Sequence, residues 1–351
     1  HAFVWTQKDG YKVLPFPSKT EGDWPPDKFF EARGMKVSDD GKVVAGLICH
    51  KDHVLDYSRG PIDFMIVWNG DAEPFLAFFG GARISGVTPD GSGVVGYSTF
   101  GWEERSKDDP TTGRFVRIRG IYLNLEDKEY YNVGDLYPGG DNHEDAALFL
   151  GGDGRTVLVG DDYDGKYLID LMEGTRLRDF GLGGIPAEFP GGTEFGGRKM
   201  KYAGRVHKTA VHAINYDGSV AAGRLTVLQP GDMSSENQIY FSVYWDKDGK
   251  IHFMDSGSES RLTFVEGISD DGGTILLGTG VSCSLWRKGK GIAPLKKVFE
   301  EYGIDAGGMD INRTVLGRMS RDGKCIAAAA FSGKNSKGRE LFKPFLACFG
   351  E

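Results

Sequence analysis

Six times along the chain an apolar strand runs into an Asp-Gly turn and out into a second small, β-rich strand that usually ends in glycine. The copies run from Met35 to Gly46, Ile84 to Gly96, Ala147 to Gly160, Val211 to Gly223, Val265 to Gly278 and Val315 to Phe331. Their turn glycines, at 41, 91, 154, 218, 272 and 323, are separated by 50, 63, 64, 54 and 51 residues. Asp-Gly between two β-rich runs is a strong hairpin signal, because glycine accepts a positive φ without a Cβ clash. All pairs except the last are followed by a second pair of strands. Phe64 to Trp68 leads into Pro74 to Phe79, and Tyr240 to Trp245 into Ile251 to Met254, with a weaker copy at Ser284 to Trp286 and Ile292 to Leu295. We term the four strands A to D. Four antiparallel strands in a unit of about 50 residues predict an all-β chain built as a β-propeller.

Two further strands, Phe3 to Trp5 and Tyr11 to Phe16, precede the first A-B pair, and Phe345 to Phe349 follows the last. Joining them would close the ring and remove two exposed edges. Six A-B pairs against seven C candidates favour six blades, with seven, one of them composite, as the alternative. Short turns without a linker predict one domain over residues 1–351.

Composition agrees with this reading. The 53 glycines among 351 residues are roughly twice the usual share and show no three-residue period, while 40% of the residues are hydrophobic. That excludes collagen-like and disordered classes. No apolar stretch approaches the about 18 residues of a membrane span. A formal net charge of -8 argues against general nucleic-acid affinity. Cys49, Cys283, Cys325 and Cys348 lack the spacing of a zinc cluster. They read first as buried free thiols. Cys325 and Cys348 fall in neighbouring strands, where a disulfide would form in an oxidising compartment.

The chain opens on His1-Ala2-Phe3-Val4-Trp5, and Val37-Ser38-Asp39-Asp40-Gly41 and Ile268-Ser269-Asp270-Asp271-Gly272 recur downstream. This pattern resembles the bacterial extracellular repeat family named for its His-Ala-Phe motif. The triplet itself occurs once, and Thr88-Pro89 or Asn215-Tyr216 replaces the Ser-x step elsewhere. The resemblance implies an exported β-propeller, periplasmic, secreted or at the cell surface, and supplies no catalytic residues. An opening at His1 without an initiator Met or a leader fits either a processed mature protein or a trimmed chain.

In a four-stranded blade the A-B turns lie on one face, and the B-C and D-A connections lie on the other. The A-B turns are short and uniform here, so a site is expected among the longer connections. Arg33, Arg83, His143, Arg205 with His207, Arg261 and Arg313 stand just before strand A of successive repeats. Six such entries in an acidic chain predict a basic mouth that focuses anions. Trp102 and Tyr163, on B-C connections, are candidates for stacking on a sugar ring. His50 and His53, with Asp52 and Asp56 nearby, could hold a divalent metal only with a third ligand. No cofactor is predicted. His207 and His212, an odd number apart on one strand, should face opposite sides.

Two classes of function follow. One is an exported, monomeric propeller that binds an anionic polysaccharide or an extracellular protein through its basic loop face. The other is a polysaccharide lyase, in which Tyr202, Arg205 and His207 would supply acid, carboxylate screen and base for β-elimination from a uronate, with the glycine-rich segment 181–205 as a lid. No nucleophile elbow, phosphate loop or dinucleotide fingerprint is present. The Asp-box and Arg-Ile-Pro signatures of sialidases are also missing.

Overall fold

The structure, a computed structural model, describes residues 2–6, 10–18, 27, 29–50, 63–77, 82–98, 119–136, 146–161, 164–182, 184–228, 238–255, 264–279 and 281–349. The chain is all-β apart from short helical turns. Its contacts group into two compact units, His1–Tyr163 with Tyr167–Arg178, and Asp164–Lys166 with Asp179–Glu351.

In the first unit β1 (Phe3–Thr6) and β2 (Gly10–Val13) form an antiparallel hairpin. Two four-stranded meanders follow: β3 (Phe29–Val37), β4 (Val43–His50), β5 (Asp63–Asn69) and β6 (Phe75–Ala77), then β7 (Ala82–Val87), β8 (Gly93–Ser98), β9 (Arg119–Asn124) and β10 (Tyr130–Asn132). Next come β11 (Ala146–Leu150), β12 (Thr156–Asp161), β13 (Asp164–Asp170) and β14 (Thr175–Asp179). In the second unit the short strands β15 (Glu188–Phe189), β16 (Glu194–Phe195) and β17 (Arg198–Lys199) precede the meander β18 (Gly204–Ile214), β19 (Ala221–Leu228), β20 (Gln238–Trp245) and β21 (Ile251–Phe253). Then follow β22 (Phe264–Ile268), β23 (Thr274–Gly278), β24 (Cys283–Arg287) and β25 (Gly291–Pro294). After helix α1 (Leu295–Glu301), β26 (Asp310–Met319), β27 (Cys325–Lys334) and β28 (Glu340–Cys348) make a three-stranded sheet.

Within each unit the first strand of a meander packs across the sheet before it. β7 lies against β3, β4 and β5, and β11 against β7, β8 and β9; β22 lies against β18 and β19, and β26 against β22, β23 and β24. Consecutive sheets stacked face to face in this way are a β-propeller arrangement. The expected count of six or seven blades is not supported. Among the described residues three sheets stand as separate four-stranded meanders, β13 shares a ladder position with β18 through Gly165 and Val211, and the last sheet has three strands.

Among the described residues the N-terminal strands are not part of the C-terminal sheet, although the sequence predicts that they join it. β1 and β2 pair with each other alone among the described residues. Ala2 and Leu14 beside them are buried in the cluster of Phe29, Ile48, Phe64 and Trp68, and the Trp68 indole N–H donates to the Pro15 carbonyl at 2.7 Å. Apolar anchoring on the first meander fixes these strands there.

The repeated turns share one hydrogen-bond design. Hydroxyls of Ser38, Thr88, Ser269 and Ser320 accept the backbone N–H five residues on, at 2.8–3.0 Å, and the Asn215 side-chain carbonyl does so for Val220 at 2.8 Å. Asp40, Asp90, Asp153, Asp217, Asp271 and Asp322 accept the N–H two residues on, at 2.8–3.0 Å. The Ser92 N–H on Asp90, and the Ser269 and Ser320 hydroxyls on Asp271 and Asp322, hold those carboxyls below their ordinary range. Successive turns also stack. A Cβ on Gly91 would lie 2.7 Å from Val43, and one on Gly154 2.6 Å from Pro89.

The structure adds a feature that the repeats did not announce. Five A strands carry a bulge three residues before the turn, at Met35, Ser85, Leu148, His212 and Glu266. The extra residue turns its side chain out of the ladder. Three of them reach the A strand of the next sheet: the Ser85 hydroxyl donates to the Ala147 carbonyl, His212 Nδ1 accepts the Val265 N–H at 3.4 Å, and Glu266 pairs with Arg318 at 2.8 Å.

Cys325 and Cys348 face each other across β27 and β28 and form a disulfide, whereas Cys49 and Cys283 are free and buried. The first reading, four free thiols, therefore holds for only two of them. The segment 181–205 is not a free lid in its described residues. Phe189, Phe195 and Met200 are buried, Phe195 packs on Phe241 and Phe253 at 5.4 and 5.3 Å, and β15 pairs with the start of β18.

Candidate functional site

Of the residues expected to form a site, Trp102, His143, Tyr163, Arg261 and His53 lie outside the described residues. Arg33 falls within β3 and His50 ends β4. Arg83 is exposed in β7, opposite Tyr97. Among the described residues no group of three metal-ligating side chains comes together.

Tyr202, Arg205 and His207 occupy the start of β18 and the turn before it, and all three are exposed. The Lys201 ammonium sits 4.8 Å over the Tyr202 ring, and the hydrogen bond to its hydroxyl raises the lysine. Arg205 stands between Leu228 of β19 and Glu188 of β15, and His207 is the extra residue of a bulge. The three do not line the cleft described next. His207 and His212 are each the extra residue of a bulge, so the simple alternation expected of one strand does not set their directions; His207 is exposed and His212 half-buried.

His212 is packed inward, stacked on Phe264 at 5.7 Å. Burial, then the positive charges of Arg224 and Lys208, push its imidazole down to about 3. The Arg224 guanidinium lies 6.0 Å from the Tyr240 ring centre and 5.9 Å from that of Phe264. Two cations and two aromatic rings are thus grouped around a neutral histidine. The folded state holds His212 neutral while the unfolded chain protonates it near the ordinary 6.5. Below that pH the unfolded state binds more protons, so stability falls as pH drops from about 6.5 towards 3. His212→Leu should flatten this part of the stability profile, measured by urea unfolding at a series of pH values. An unchanged profile would show that another group carries it.

Phe264 also walls a cleft of about 750 Å³. Thr279 and Ser282 from the β23–β24 connection and Ser284 of β24 contribute hydroxyls, Pro294 and Leu295 apolar surface, and Asn312 and Arg313 an amide and a guanidinium. This is the side of the B-C and D-A connections. The Thr279 and Ser282 hydroxyls bond at 2.8 Å, which ties the connection down. The Arg313 guanidinium carbon lies 3.9 Å from the centre of the Phe331 ring, and the guanidinium pairs with Glu340 at 2.7 Å. Cys283 also lines the cleft; burial pushes its thiol up to about 11, and Glu266 adds to the shift, so the thiol form is favoured.

Of the residues singled out in the sequence, Arg313 lines this cleft; Phe264, Asn312 and the Thr279–Ser284 rim were not singled out. Phe264 reads as an ordinary strand residue.

No family model matches the sequence, and no curated protein matches it. Solved structures similar to the chain include the β-propeller domain of the Trilobed protease from Pyrococcus furiosus, at 10% identity, with 92% of this chain and 84% of that one covered and a TM-score of 0.49. The acylaminoacyl peptidase of Pyrococcus horikoshii is similar at 10% identity and a TM-score of 0.48; 92% of this chain is covered, but under half, 46%, of the peptidase. An oligogalacturonate lyase from Vibrio parahaemolyticus is similar at 11% identity, covering 91% and 89%, with a TM-score of 0.44. At these identities and scores the similarities carry no statement about activity.

Proposed function

We propose that the chain is a propeller-type binding module that takes an anionic glycan, or another acidic extracellular partner, on the face of its B-C and D-A connections. The observation that carries this reading is the cleft at Arg313, where a guanidinium, an exposed aromatic ring, hydroxyls and an amide converge within one unit. Concave sites that pair apolar walls with a few placed polar groups are where small ligands bind. The Lys208 and Arg224 charges that depress His212 add positive potential on the neighbouring meander. The Cys325–Cys348 bridge supports an oxidising compartment, and with it export. The monomeric state and the likeness to the His-Ala-Phe repeats are parts of the same proposal.

Polyuronate should bind the protein at low salt and weaken steeply as salt rises. Calorimetric titration at two ionic strengths, with Arg313→Ala as the second protein, tests this: the substitution should lower affinity at least about tenfold. Binding that ignores both salt and the substitution would sink the proposal. Absorbance at about 232 nm in the same mixtures reads out β-elimination. A flat trace is expected, because Tyr202, Arg205 and His207 stand exposed and outside the cleft.

A further inference from the structure

We infer that the Arg313 cleft receives one carboxylate-bearing pyranose ring, and that Glu340 stands where the sugar carboxylate docks, so that ligand and Glu340 compete for the same guanidinium. This deepens the anion-binding reading and rests on it. The Arg313 guanidinium carbon lies 3.9 Å from the centre of the Phe331 ring, and Glu340 pairs with the guanidinium at 2.7 Å, so two contacts hold it in place. A planar, fixed guanidinium is built for carboxylate recognition. Both partners are only partly covered, with side chains 39% and 43% exposed. A ligand carboxylate can therefore replace Glu340 without burying an unpaired charge. An uncharged sugar cannot make that exchange.

The rest of the cleft suits a sugar ring. Phe264 is 42% exposed and offers an aromatic face to the C–H side of a pyranose. The amide of Asn312 and the hydroxyl of Ser282 lie on the rims to meet ring hydroxyls. A volume of about 750 Å³ falls in the ordinary range for small-ligand sites, roughly 300–1,000 Å³. The carboxylate at Glu340 repels a second anion until it is displaced. It acts as a threshold on affinity and a filter against weakly charged glycans.

The test uses the whole chain, with polyuronate as reporter and glucuronate, galacturonate and glucose as competitors. The wild-type protein should release polyuronate on adding either uronate and ignore glucose. Glu340→Gln removes the competing charge and should tighten uronate binding about three- to tenfold. Phe264→Ala should weaken it, and Arg313→Ala should abolish competition. If wild type binds polyuronate but Glu340→Gln leaves uronate affinity unchanged or lowers it, the inference fails and the anion-binding reading stands. If neither protein binds polyuronate or uronate, both fall. Thermal unfolding of Glu340→Gln, an exposed position, should match wild type and so exclude a folding defect as the cause.

Discussion

Gly223→Ala is expected to destabilise the protein by more than about 4 kcal/mol, the range reserved for a named steric failure. A β-carbon at Gly223 would lie 1.9 Å from the Ala210 carbonyl oxygen, a backbone atom that cannot rotate away. The crowding follows from the bulge at His212: Gly223 pairs with Val211, the residue just before the extra one, where the A strand leans into its neighbour. The same geometry recurs in β8, where a Cβ on Gly96 would lie 2.2 Å from the Arg83 carbonyl and Gly96 pairs with the residue before the Ser85 bulge. This accounts for glycine at that position of β8 and β19; Gly160 and Gly278 pair one residue further from their bulges, with Ala146 and Phe264. Gly249→Ala is the control, since that position has a positive φ of 76° but open space around it. It should cost only about 1–2 kcal/mol. Urea unfolding of the two variants checks the claim, and a Gly223→Ala penalty no larger than that of Gly249→Ala would refute it.

Loss of the Cys325–Cys348 bridge is expected to cost about 3 kcal/mol, from the entropy of closing a loop between residues 23 apart in sequence. The two cysteines lie opposite each other at the ends of β27 and β28, and Phe349 beyond them donates its N–H to Lys324 and is buried. The bridge therefore pins the last strand of the chain. Cys348→Ser, or mild reduction, should lower the unfolding midpoint and free the β28 amides to exchange first. An unchanged midpoint on verified reduction would mean that Phe349 and the β27–β28 ladder suffice.

The alternation of strand, Asp-Gly turn and strand made the sheets legible, because the turn chemistry is local: Ser269, Asp271, Gly272 and Thr274 satisfy one another within six residues. The bulges were not legible, since an extra residue leaves no mark in a hydrophobic alternation. Neither was the partner of the N-terminal hairpin, because closing a ring and packing Leu14 beside Trp68 are both compatible with the same apolar residues. The site was half legible. Arg313 could be picked out by its place in the repeat, but Phe264, Ser282 and Asn312 come from three separate segments whose meeting only the folded sheets reveal. Tyr202, Arg205 and His207 are close in sequence and exposed in the structure, so proximity along the chain was a poor guide to a shared cavity.

Amide hydrogen exchange with and without polyuronate tests the central claim most directly, because it reports which face the ligand covers. Binding at the Arg313 cleft predicts slower exchange across 279–284 and 310–316, with the A-B turns at 269–274 and 320–325 unchanged. Protection confined to those turns, or to the start of β18 around Arg205, would contradict it.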